Sequence, residues 1–147
     1  MFVVDTNIFV YALNRGCQEH EVARTFVNQC REAVGPWYTT WGILYEFLRV
    51  CTHPRVFRQP LSAGKAWEFV RSLLESPGVR VLAQGLDHAQ VLEATIREIH
   101  GLRGNLLHDA HTAVLMREYG IRRIYTRDTD FHRFPFLEVI DPLAFSK

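Results

Sequence analysis

The chain has 147 residues, 48% of them hydrophobic, with 17 basic and 16 acidic side chains and a net charge of +1. That length suits one domain, residues 1–147, with a substantial core. The composition excludes a disordered chain, a bilayer-spanning stretch and a global field that would draw nucleic acid. All basic residues but Lys65 and Lys147 are arginines. Arginine suits bidentate phosphate contacts, though a coding bias explains the excess more simply. Cys17, Cys30 and Cys51 are an odd number without metal-type spacing, as expected of a reducing cytoplasm. The first residues lack a charged stretch and reach a carboxylate by position 5, so no signal peptide is expected.

In chain order, Phe2, Val3 and Val4 predict a short strand buried on both faces, ending on Asp5. Asp5, Thr6 and Asn7 suit a helix N-cap equally well, so these residues alone leave two readings open. A short helix to about Leu13 follows. A second, over 19–34, carries Val22, Ala23, Phe26, Val27, Cys30 and Val34 on one face and stops at Gly35-Pro36. "WYTT" predicts a strand and "WGILYEFLRVC" a helix, then a proline-bearing loop. A helix over 62–76 precedes the strand "VRVL". Asp87 and Gln90 form a capping-box pattern, with Ala89, Leu92, Ile96 and Ile99 predicted on the buried face beyond it. Asn105 is a candidate cap for a helix to about Tyr119. "IRRIYT", a loop "RDTDFHRFPF" and "LEVID" close the chain. Strands separated by helices predict an α/β/α layered domain with a five-stranded parallel sheet.

The candidate chemistry lies in the acids. Asp5 ends the first strand, and Asp128 and Asp130 follow the fourth. If those strands are neighbours at a topological switch point, their carboxyl ends converge. On a helical wheel Glu46 falls at the rim of the apolar arc of its helix, which predicts a part-buried carboxylate. Asp109 falls at the rim beside Leu106 and Ala113, early in its helix where the dipole favours negative charge. Either acid alone is better read as a solvated rim residue. Together they would repel one another and raise their own pKa values unless a cation joined them. Oxygen-only ligands point to Mg²⁺ or Mn²⁺, and such an ion at an α/β sheet edge suits phosphoryl chemistry.

The order "VVDTN", "LYEFLRV", "HDAHTAVL", "YTRDTDF" resembles the PIN-domain ribonucleases, in particular the VapC toxins of toxin–antitoxin pairs. The resemblance covers nearly the whole chain. No single motif is specific; the four in this order and spacing are. It implies strand order 3-2-1-4-5, Mg²⁺- or Mn²⁺-dependent RNA cleavage, a homodimer, and neutralisation by a cognate VapB-like antitoxin. It implies catalytic roles for Asp5, Glu46, Asp109 and Asp128, with Asp5, Asp109 and Asp128 holding metal. Asn7 and Thr126 match supporting positions, and Asp130 matches a further acid that supports or joins the site.

Arg127 and His108 are candidates for substrate binding, and Arg127 also for pairing with an antitoxin carboxylate. His111 lies about 160° around the helix from Asp109 and is expected to take no part in chemistry. Arg49 is expected to pair with Glu46 one turn away. Trp37, Tyr38 and Trp41 are expected in core or dimer packing rather than base stacking. The alternative function is a non-catalytic PIN-like domain that binds RNA or protein, whose mark would be a missing acid; none is missing. A haloacid-dehalogenase-like phosphatase would need an aspartate where Asn7 stands. A response-regulator receiver would need an acidic pair at the first strand and a late lysine, and neither is present.

Overall fold

The computed structural model describes residues 1–144. Its elements are β1 (Phe2–Val4), α1 (Thr6–Leu13), α2 (His20–Glu32), β2 (Trp37–Thr40), α3 (Trp41–Cys51), α4 (Ala63–Leu74), β3 (Val79–Leu82), α5 (His88–Glu98), α6 (Leu106–Glu118), β4 (Arg123–Tyr125) and β5 (Glu138–Ile140). A 3₁₀ turn, Thr129–Arg133, lies between the last two strands. All strands are parallel, in the order β3-β2-β1-β4-β5.

Side chains alternate across a strand, so Val3 and Val4 point to opposite faces. Both are fully buried, which means that helices cover both faces of the sheet. β1 lies at the centre, with β2 on one side and β4 on the other. The chain winds outward from β1 through β2 to β3, then returns to lay β4 on the opposite flank. That reversal opens a crevice at the carboxyl ends of β1 and β4. Pairing continues past the strands: Asp5 N–H donates to the Tyr125 carbonyl at 3.1 Å, and Thr126 N–H to the Ile140 carbonyl at 2.9 Å. The backbone itself therefore sets Asp5 beside Thr126.

α1, α3 and α4 pack against the sheet through Phe9, Phe47, Phe69 and Trp37. Phe47 and Phe69 stack at 5.0 Å, while Phe9 meets Phe47 edge-on. α3 starts where β2 ends because the Thr40 hydroxyl accepts from Ile43 N–H. Ser62 caps α4 in the same way through Lys65 N–H. α6 is buried almost all round: Ala110 and Thr112 through Met116 are inaccessible or nearly so. Its end at Gly120 has φ +66°, a left-handed conformation that glycine adopts without strain.

Several local expectations are corrected. α2 stops at Glu32, so Val34 is 87% exposed rather than on the buried face. The Asp87–Gln90 capping box does not form; Asp87 makes no side-chain cap bond. Asn105 likewise sits at the start of α6 without capping it. α5 is rotated from its purely apolar face, leaving Ala89 and Ile96 exposed and burying Thr95. Polar pairing explains the rotation. The Thr95 hydroxyl bonds the Val91 carbonyl and accepts from Arg117, and His88 Nδ1 lies 2.6 Å from Glu118. The loop after β4 contains the 3₁₀ turn, and its Phe131 and Phe134 are core residues.

Candidate active site

Asp5 stands at the N-cap position of α1, yet its side chain makes no cap bond. The carboxylate turns into the crevice instead, which resolves the two readings its position allows. Oδ2 accepts from the Thr126 hydroxyl at 2.8 Å and from Asn7 Nδ2 at 3.1 Å. Thr126 is the hub of this cluster. Its Oγ1 also accepts from Asn7 Nδ2 and from Asp128 N–H, each at 2.9 Å. Asn7 Oδ1 accepts from Arg127 N–H, so the loop after β4 is tied to the start of α1. Asp128 Oδ1 in turn accepts from Asp130 N–H at 2.9 Å and so starts the 3₁₀ turn.

Asp109 enters from the first turn of α6. One oxygen each of Asp109, Asp128 and Asp130 lie within 4.8 Å of one another. Asp130, expected to support or join the site, is a member of the tightest group of acids. Asp5 stands behind that group, fixed by hydrogen bonds. The electrostatics agree with convergence. The Asp109 carboxyl is pushed up to about 7, first by burial and then by the charges of Asp128, Asp5, Asp130 and Glu46. Asp5 rises to about 6, chiefly through burial, with Glu46 and Asp128 adding to it against the Thr126 hydrogen bond. Such a set of carboxylates offers hard oxygen donors and excess negative charge, which fits a hard divalent cation.

The acids border a cavity of about 900 Å³, with Asp5, Glu46, Asp109, Asp128 and Asp130 among its lining residues. Glu46 differs from its expectation: its side chain is 47% exposed, not part-buried. The Thr6 hydroxyl donates to its Oε2 at 3.4 Å, and Arg49 lies 3.8 Å from its Oε1. His108 lines the cavity, as does His111. The offset of His111 from Asp109 along α6 does not remove it, because the cavity spreads from α6 to α3 on both sides of that helix face. His111 meets His88 edge-on, with ring centroids 6.0 Å apart. Tyr45 and Arg49 also line the wall and were not read as site residues from the sequence. The four-residue spacing of Trp41, Tyr45 and Arg49 along one helix face is the signal available for them.

Arg127 is not among the lining residues. Its guanidinium bonds Glu19 at 2.8 Å and Asp141 at 3.2 Å and lies over the Tyr11 ring. Both carboxylates are distant in sequence, so nothing local advertises that capture. Trp37 is a fully buried core residue, whereas Trp41 is 46% exposed.

A parallel sheet in this order with carboxylates gathered at its switch point is the arrangement of a PIN domain, and the PIN-domain family model matches residues 2–137. The chain belongs to the PIN-domain family. Among its curated relatives, Ribonuclease VapC48 of Mycobacterium tuberculosis is 31% identical over 140 residues, covering 95% of this chain and 96% of that protein. Ribonuclease VapC33 of the same organism is 31% identical over 143 residues, covering 97% and 99%. Among solved structures, M. tuberculosis VapC20, a Sarcin-Ricin loop cleaving toxin, superposes with a TM-score of 0.67 and 25% identity over 96% of this chain and 100% of that one. VapBC2 of Rickettsia felis, bound to a promoter DNA fragment, has the same fold at a TM-score of 0.65 and 14% identity over 95% and 96%.

Proposed function

We propose that this protein is a divalent-metal-dependent endoribonuclease of the VapC type, acting as a single domain on RNA phosphodiester bonds. The observation that carries the reading is the convergence of Asp109, Asp128 and Asp130 within 4.8 Å, with Asp5 held behind them. Relatives named as VapC ribonucleases span 95% or more of the chain, and every acid that the resemblance implies is present. That favours catalysis over a domain that only binds RNA or protein.

Each residue has a task. Thr126 and Asn7 lock one oxygen of Asp5 and hold the Asp128 backbone against it. Asp5, Asp109, Asp128 and Asp130 would hold the cation. When bound, Mg²⁺ or Mn²⁺ offsets the charge of the scissile phosphate and makes water a stronger nucleophile. Glu46 stands apart from the tightest group of acids and is more exposed. Its carboxylate would accept a proton from an attacking water. His108, at the cavity wall, would contact the substrate.

The partner we propose is a VapB-like antitoxin, and the active form a homodimer in the cytoplasm. Solved structures of the same fold include VapBC2 of R. felis, bound to a fragment of promoter DNA, and FitAcB of Neisseria gonorrhoeae. No helix among the described residues is long and apolar enough to cross a membrane. The test is cleavage of purified RNA with added Mg²⁺ or Mn²⁺, in parallel with excess EDTA. Cleavage is expected with metal and none with chelator. Undiminished cleavage in EDTA, or none under any metal, refutes the proposal.

A further inference from the structure

Two features flank the acids and lie outside the hydrophobic core. The first is a stripe on α3. Trp41, Tyr45 and Arg49 recur every four residues and therefore share one helix face. Trp41 is 46% exposed and Tyr45 69%, with ring centroids 6.3 Å apart and planes at 57°. Neither ring is core, unlike Trp37. Tyr45 and Arg49 line the acidic cavity, so the stripe continues into it. Among the described residues the one ion pair of Arg49 is with the exposed Glu46, at 3.8 Å, a pairing of little strength that leaves the guanidinium available.

The second feature adjoins Asp130. That acid borders both the main cavity and a cleft of about 240 Å³ lined by Arg103 and Arg133. Neither arginine forms an ion pair among the described residues. Two free guanidinium groups beside a carboxylate cluster are suited to an anion that approaches the cluster from outside.

We propose that a single-stranded RNA segment crosses the cavity with unpaired bases stacked on Trp41 and Tyr45 and a flanking phosphate in the Arg103–Arg133 cleft. This rests on the ribonuclease reading above and adds the state of the substrate and its path. The chemistry selects an unpaired strand at this face. Exposed π-faces accept any base, but only one that is not stacked inside a duplex. Arginine on both flanks supplies the cations that the acidic centre lacks for neighbouring phosphates.

The test uses the full chain carrying Asp5→Asn, so that RNA is bound without turnover, in Mg²⁺ buffer. The probes are a short mixed-sequence single-stranded RNA and a blunt duplex of the same sequence. Tryptophan fluorescence and the salt dependence of Kd are read. The single strand should quench the fluorescence and bind more tightly than the duplex. Trp41→Leu should remove most of the quenching. Trp41→Leu with Tyr45→Leu should weaken binding about tenfold or more without altering the salt slope. Arg103→Ala with Arg133→Ala should weaken binding and reduce the slope of log K against log salt by roughly 0.7 for each phosphate no longer neutralised. Unchanged quenching and affinity in the aromatic variants overturn the stacking wall. An unchanged salt slope in the arginine variant overturns the phosphate cleft. If the aromatic variant turns a dimer into a monomer by light scattering, the stripe is an interface between copies and the proposal fails. Variants that bind like their parent, while the unmutated protein cleaves RNA, refute the path alone. An unmutated protein that cleaves no RNA with any metal refutes the nuclease reading itself.

Discussion

Replacing Asp5 by asparagine separates what the residue does for the site from what it does to the fold. The carboxyl is 7% exposed and its pKa is raised from 3.8 to about 6. A carboxylate whose folded-state pKa lies above its unfolded value weakens the fold wherever it is ionised. Below the unfolded pKa both states are protonated and Asp5 contributes no penalty. As pH rises through the folded pKa the penalty reaches its full size. That rise in pKa corresponds to a penalty of at most about 3 kcal/mol. Asparagine keeps the shape and an acceptor for Thr126 but carries no charge. In metal-free buffer Asp5→Asn should therefore be more stable than the parent, with the gain small near pH 4 and nearly complete above about pH 6.5. For a chain of this length the full gain is a rise in melting temperature of roughly 6–12 °C. The Asp109 carboxyl should also lose part of its upward shift, since the Asp5 charge contributes to it. Added Mg²⁺ should narrow the difference, because metal stabilises the parent by mass action. RNA cleavage should be lost. The assay is a set of melting curves in EDTA and in Mg²⁺ between about pH 4 and 8, with cleavage measured on the same samples. A stability difference that does not change with pH, or a variant less stable than its parent near neutrality, would refute the electrostatic reasoning.

Thr126 and Gly78 test positioning and packing. Thr126→Val removes the hydroxyl that joins Asp5, Asn7 and Asp128 N–H; it should cost about 1–3 kcal/mol and cleavage should fall at least about tenfold, whereas Thr126→Ser should restore most of both. A Thr126→Val protein with parental cleavage would remove the hub from the mechanism. At Gly78 an added Cβ would come within 2.8 Å of the Ala33 carbonyl oxygen and closer still to that of Gly35, both backbone atoms that cannot swing aside. Gly78→Ala should lower stability by about 1–3 kcal/mol in urea unfolding while leaving the acids intact; an unchanged midpoint would show that the turn before β3 yields.

Much of this protein was legible in the chain itself. Element order follows from local sterics and periodicity: an apolar triplet ending on Asp5, Gly35-Pro36 and Gly120 as stops, and Ser62 at a helix start. The parallel sheet follows from strands that alternate with helices, and a switch point between β1 and β4 then brings Asp5 near Asp128. These are properties of residues within a few positions of one another, so a sequence displays them. What only the tertiary structure decided depends on partners far apart in the chain. Asp130 joins Asp109 and Asp128 because Asp128 anchors the 3₁₀ turn and α6 packs against it. Glu46 is exposed because its helix face borders an open cavity, which a wheel drawn for one helix does not contain. Arg127 is held by Glu19 and Asp141 rather than turned into the acidic cavity. α5 buries Thr95 because Arg117 satisfies its hydroxyl. Trp37 and Trp41, four residues apart, part ways because β2 lies inside the sheet while the first turn of α3 faces water. Periodicity places a side chain on a face; what stands opposite that face is settled by the packing of the whole chain.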